Sequence, residues 1–173
     1  MLRLIIGIVL LLSLCTCQKK EEPSLQQQAP AGLLESVAQL QILYEAVKKN
    51  PASLDDWIKL GNMLMDTTRF AEAVEAYQKA LEIEPKNVDV RVDLGTCYRN
   101  IGKPDRAVEE YNKALQINPS HPNGHRNLAV VLSSDLKQND RAIQEFEKFL
   151  ALEPHSADAD TIKQIILNLK GLK

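Results

Sequence analysis

The sequence predicts an all-α fold built from stacked antiparallel helix pairs, and three observations carry the prediction. Prolines stand at positions 51, 85, 119 and 154, so that successive prolines lie 34, 34 and 35 residues apart. Each closes a similar phrase: KKNP, EIEP, QINP and ALEP. Between the prolines, large apolar residues recur at i, i+3, i+4 and i+7, the pattern of two amphipathic helices per unit. A repeat of this length is one supersecondary unit that buries its apolar face only by stacking on its neighbours.

The chain opens MLRLIIGIVLLLSLCTCQKKEE, in which Arg3 precedes an apolar run from Leu4 to Leu14. Eleven helical residues reach about 16 Å, short of the roughly 30 Å that a spanning helix needs. That length suits the apolar region of a secretory signal. No Ala-x-Ala step marks an ordinary cleavage point. The segment, residues 1–17, resembles instead a bacterial lipoprotein leader, in which a short apolar run ends at a cysteine that is lipidated and becomes the mature N-terminus. Leu14-Cys15-Thr16-Cys17 fits with Thr16 as an imperfect small residue, and the alternative acceptor Cys15 follows the bulky Leu14. The resemblance implies lipidation at Cys17, or less suitably at Cys15. It also implies a lipid-anchored, periplasm-facing place in the bacterial cell envelope. Gln18 follows Cys17, and an Asp at that place would imply the inner membrane, so its absence favours the outer one. An uncleaved anchor and an apolar N-terminus without targeting meaning remain alternatives. Residues 18–30, QKKEEPSLQQQAP, lack helical periodicity and read as a flexible tether with an end-to-end reach of about 20 Å.

Aligned on their prolines, the units 53–86, 87–120 and 121–155 carry a shared pattern. The first shows Trp57, Leu60, Gly61, Leu64, Ala73, Tyr77, Ala80 and Pro85. The second shows Leu94, Gly95, Tyr98, Ala107, Tyr111, Ala114 and Pro119, with Arg91 in the Trp place. The third keeps Leu128, Ala129, Leu132, Ala142, Phe146 and Pro154, with His125 in the Trp place and one inserted residue between its helices. These units resemble the tetratricopeptide repeat (TPR). The resemblance implies a right-handed α-solenoid with flanking capping helices, a non-catalytic protein-interaction role, and no cofactor.

The residues themselves agree with that reading. Gly61, Gly95 and Ala129 are small where the two helices of a pair approach, and Ala73, Ala107 and Ala142 match them on the second helix. Ser53 precedes Leu54-Asp55-Asp56 as an N-cap. Gly102 ends one helix, and Pro104 suits the first position of the next. In front of the units, 32–49 has the spacing of a second repeat helix, a half-repeat. Behind them, 156–170 sets Ile162, Ile165, Ile166 and Leu169 on one face and reads as a terminal cap. The predicted domain thus covers residues 31–172 and holds eight helices.

In the family, the first helix of each pair lines a concave face. Its spacing maps the groove onto Asp55, Ile58, Asn62, Met65 and Asp66 in the first unit. The second contributes Asp89, Val92, Thr96, Arg99 and Asn100, and the third Asn123, Arg126, Val130, Ser133 and Ser134. An extended peptide or a partner helix is the expected occupant. The cationic clamp with which chaperone-binding relatives grip a terminal carboxylate falls on Ile58, Asn62, Asp93, Asn123 and Asn127. Those positions hold no cation, so that clamp is absent.

Other functions find little support. A formal net charge of −2 argues against nucleic acid, whose binders present a basic face. Cys97 is the one cysteine in the body, so no disulfide can staple it. His121 and His125 are four apart, but His125 occupies the Trp packing place and His121 a turn, so no metal site is expected. Glu72, Glu75, Glu109 and Glu110 read as solvated outer-face charge, and no catalytic constellation or phosphate loop is found. The expected protein is a membrane-tethered scaffold. The alternative is an anchored assembly factor, similar to the repeat modules of cytochrome c maturation.

Overall fold

A computed structural model of the chain describes residues 31–171. The expected leader, its cysteines Cys15 and Cys17, and the 18–30 tether lie outside the described residues. Within them the chain forms eight α-helices: α1 (Ala31–Lys49), α2 (Leu54–Asp66), α3 (Phe70–Ile83), α4 (Val88–Asn100), α5 (Pro104–Ile117), α6 (Pro122–Ser134), α7 (Asn139–Leu152) and α8 (Ala159–Leu169). Each packs on its chain neighbours, and α4 also touches α6. These two, the first helices of the second and third pairs, therefore approach one another, which sets them on the inner side of the stack.

Short polar residues start the first helices. The Ser53 hydroxyl accepts from the Asp56 N–H, Asn87 Oδ1 from the Val90 N–H, and His121 Nδ1 from the Gly124 N–H. Such caps satisfy donors that the helix itself leaves without partners. Second helices lack a side-chain cap, and α5 begins instead on Pro104. Each pair turns through one residue in the left-handed region: Thr68 at φ 59°, Gly102 at φ 73° and Lys137 at φ 56°. Only the second unit supplies the glycine that this conformation favours. The insertion in the third unit lies here, between Ser134 and Asn139. The terminal helix begins at Ala159, three residues later than the spacing predicts, because 155–158 form a turn ahead of it.

The core runs along the stack as three overlapping clusters. Tyr77, Tyr111 and Phe146, one per unit, are each at most 1% exposed and fill the space between paired helices. Gly61 and Gly95 admit the rings: an added Cβ would stand 2.5 Å from the Tyr77 ring and 2.6 Å from the Tyr111 ring. Cys97 is a buried free thiol, and burial, followed by the nearby Asp93 charge, pushes it up to about 12, which makes it inert.

Candidate functional site

The joint between one unit and the next is built three ways. Trp57 Nε1 donates to the Pro51 carbonyl at 2.8 Å. Arg91 donates to the Pro85 carbonyl through Nη2 at 2.6 Å and Nε at 3.1 Å. His125 Nε2 lies 2.8 Å from the Pro119 carbonyl. The two polar versions each add a carboxylate: Arg91 Nη1 donates to Glu110 at 2.8 Å, and His125 Nδ1 lies 2.6 Å from Glu145. Glu110 is only 8% exposed, which corrects the expectation of a solvated outer charge. Its second oxygen accepts from Lys113. Burial opposes the charge of Glu145, yet hydrogen bonds from Lys148 and His125 hold its carboxyl below the usual range.

His121 and His125 are fully engaged. His121 Nδ1 accepts from the Gly124 N–H, so its Nε2–H donates to Asp89 at 2.9 Å. Both nitrogens of His125 lie within hydrogen-bond distance of a partner, Nδ1 of Glu145 and Nε2 of the Pro119 carbonyl. Among the described residues no group of three His, Cys, Asp or Glu side chains is placed to hold a metal ion, and no helix is long and apolar enough to cross a membrane.

On the inner face the predicted groove residues fall into three groups. Thr96, Arg99, Arg126 and Val130 come together, with Tyr111 and Asn127, around a cavity of about 90 Å³ between α4 and α6. The Thr96 and Tyr111 hydroxyls are 3.1 Å apart, and Asn127 Nδ2 donates to Thr96 Oγ1 at 3.4 Å. Arg99 pairs with Asp135 of the next unit at 2.6 Å, and Arg126 with Asp158, in the turn before α8, at 2.5 Å. The Arg126 hydrogen bond keeps the Asp158 carboxyl below the usual range. These pairs are about one-third exposed, a setting in which an ion pair contributes little. A ligand group can therefore exchange for them at low cost.

A second group lies on the inner surface outside that cavity. Asn62, Asp66, Asp89, Asn100, Asn123 and Ser134 are exposed. Asn62 accepts from Tyr77 OH at 2.7 Å, Asn100 donates to the Thr96 carbonyl, and Asp55 pairs with Lys59. In the third group the side chains turn toward packing. Ile58 and Met65 are half-buried against the core, and Ser133 donates to the Val130 carbonyl. Val92 is a correction: at 4% exposure it lies in the core against α5 and α6, where no ligand reaches it. Apolar periodicity could have placed it, since Val88 and Val92 are four apart and pack in one cluster.

The groove reading also passed over five residues: Tyr111, Asn127, Asp135, Asp158 and Asp93. Tyr111 comes from a second helix and reaches the inner face through the space that Gly95 leaves. Asp135 and Asp158 sit in turns, where helical spacing carries no information. Asp93 was named only as a clamp position. Burial, then Asp89 and Asp66, push it up to about 6, with His121 opposing. Inner-face charge is thus divided, acidic along the first two units and donor-rich between the second and third. Two outer hollows, of about 480 Å³ and 440 Å³, line Glu145–His125 and Glu110–Arg91 at equivalent repeat positions, so they follow from the repeat geometry.

Comparison with known proteins agrees with this architecture. The family profile described as "Tetratricopeptide repeat" matches residues 64–131. Two crystal structures of MamA are 20% identical, with TM-scores of 0.72 and 0.73. Both alignments cover 82% of this chain, and they cover 76% and 82% of the respective MamA chains. The first TPR of Spaghetti (RPAP3), solved bound to the HSP90 peptide SRMEEVD, is 19% identical with a TM-score of 0.63, covering 68% of this chain and 90% of that one. No curated protein matches the sequence. The chain has the all-α solenoid fold of tetratricopeptide repeats, and its residues 64–131 match that repeat's family model.

Proposed function

We propose that this protein is a non-catalytic docking scaffold that holds a segment of another protein on its inner face. The observation that carries the reading is the cavity at Thr96, Arg99, Tyr111, Arg126, Asn127 and Val130. It presents hydroxyl, amide and guanidinium groups on a rigid two-helix floor, and its ion pairs are exposed enough to be exchanged. The peptide-bound RPAP3 repeat domain supports the same use of the fold. The leader extends the proposal: a lipidated Cys17 tethers the scaffold to a bacterial membrane, facing the periplasm.

A photo-crosslinking residue at Asn100, on the inner face, tests the docking. Capture of a discrete partner there, and not from Glu109 on the outer face, is the expected result. Equal capture from both positions sinks the reading. The tether is tested separately: palmitate incorporation is expected in the full chain and absent in Cys17→Ser, and an unlabelled wild-type chain removes the lipid anchor.

A further inference from the structure

Helix α1 is half a repeat, and its exposed stripe has a defined shape. Register with α3 sets Gln39, Ile42, Leu43 and Ala46 where Ala73, Ala76, Tyr77 and Ala80 stand. In α3 those four side chains are at most 2% exposed, because a first helix lies against them. Helix α1 packs on α2 mainly through Leu40, Tyr44 and Val47, with Leu43 also against that core, and no helix precedes it among the described residues. Gln39 is left exposed, Leu43 and Ala46 half-buried. Ile42 is 68% exposed, more than any other large apolar side chain among the described residues.

We propose that this stripe is a self-association surface on which α1 of a second copy docks antiparallel. The charge pattern selects the occupant and its direction. Lys48 and Lys49 form the last turn of α1, where they complement the helix dipole. A parallel pair sets these lysines against their own equivalents. An antiparallel register centred on Ile42 sets Ile42 against Ile42 and brings Lys49 level with position 35, a glutamate. The same patch then serves both copies, as a two-fold interface requires. A single helix pair buries less than a standard protein interface, so the dimer forms weakly and with concentration dependence. Confinement on a membrane surface would raise its population.

The test uses the full chain in a mild detergent. Sedimentation velocity is expected to show a monomer–dimer equilibrium that Ile42→Glu abolishes while far-UV circular dichroism keeps its helical signal. Lys49→Glu is expected to weaken the dimer, and adding Glu35→Lys to restore it. Oxidised Ile42→Cys is expected to give several-fold more disulfide-linked dimer than the unsubstituted chain or Leu167→Cys on α8. Self-association unchanged by Ile42→Glu overturns the proposal. So does a disulfide from Ile42→Cys to Cys15 or Cys17 of the same chain, which assigns the stripe to the protein's own N-terminal segment.

Discussion

The first and third units close the same joint with different chemistry. In the first, an indole spans the gap and donates to a proline carbonyl, and Ala76 stands where the later units have glutamates. In the third, His125 reaches the corresponding carbonyl and Glu145 fills the space behind it. Arg91 with Glu110 is a second solution of the polar kind. What the position requires is a long side chain with a donor at its tip, and an aromatic ring is one way to supply it. The polar solution carries a dependency that the indole does not. A buried ion pair contributes little against a well-packed apolar replacement, but removing one member strands the other.

That contrast predicts the largest effect. His125→Leu leaves half-buried Glu145 with Lys148 as its remaining partner, and should lower unfolding free energy by about 3 kcal/mol. His125→Trp together with Glu145→Ala copies the first unit's chemistry into the third. Chemical denaturation should place this double variant within about 1 kcal/mol of the parent. A double variant as unstable as His125→Leu alone would show that the two joints are not interchangeable.

Next in size is the glycine–ring contact. In the second unit an alanine Cβ at position 95 meets a ring held in place by the Thr96–Tyr111 hydroxyl contact. The third unit carries Ala129 beside Phe146, which has no such anchor, and a longer turn. Gly95→Ala should therefore cost about 2 kcal/mol, and adding Tyr111→Phe should recover part of it in thermal melts. No recovery would assign the third unit's tolerance to its turn alone.

A smaller effect depends on pH. One position reads Lys59, Asp93 and Asn127 across the three units, and Asp93, half-buried, is the acid among them. Its folded value of about 6 exceeds the ordinary 3.8, so the folded state binds the proton more tightly than the unfolded chain. The associated stability is present below pH ~4 and is lost as pH rises through ~6. Asp93→Asn should match the wild type near pH 4 and exceed it by about 1 kcal/mol at pH 7, after allowing for solvent screening of a partly exposed group. Equal melting temperatures at pH 7 would contradict the assignment. The smallest change is expected at the turns: Thr68→Gly relieves a β-branched residue at φ 59° and should add up to about 1 kcal/mol.

The repeat was legible because each unit must present the same face to its neighbour. Proline period, the small residues at 61, 95 and 129, and the caps at Ser53, Gly102 and Pro104 are local demands written at fixed spacing. Position 125 was legible as a packing place for the same reason. The groove was legible only in outline. Spacing brought Thr96, Arg99, Arg126 and Val130 into one set, yet it also included Val92, since helical position does not say how far a neighbouring pair covers a side chain.

By itself, then, the sequence determined the class of fold, the number of helices and which helices face inward. These follow from periodicity and from local backbone preferences. Tertiary structure decided which inward positions are open, which arginines are already paired, and that Glu110 is buried. Those outcomes depend on residues from turns and second helices, such as Asp135, Asp158 and Tyr111, that meet the groove only when successive pairs stack. The exposed stripe of α1 is a third case: its residues are plain in the sequence, but that no helix among the described residues covers it appears only in the packed solenoid.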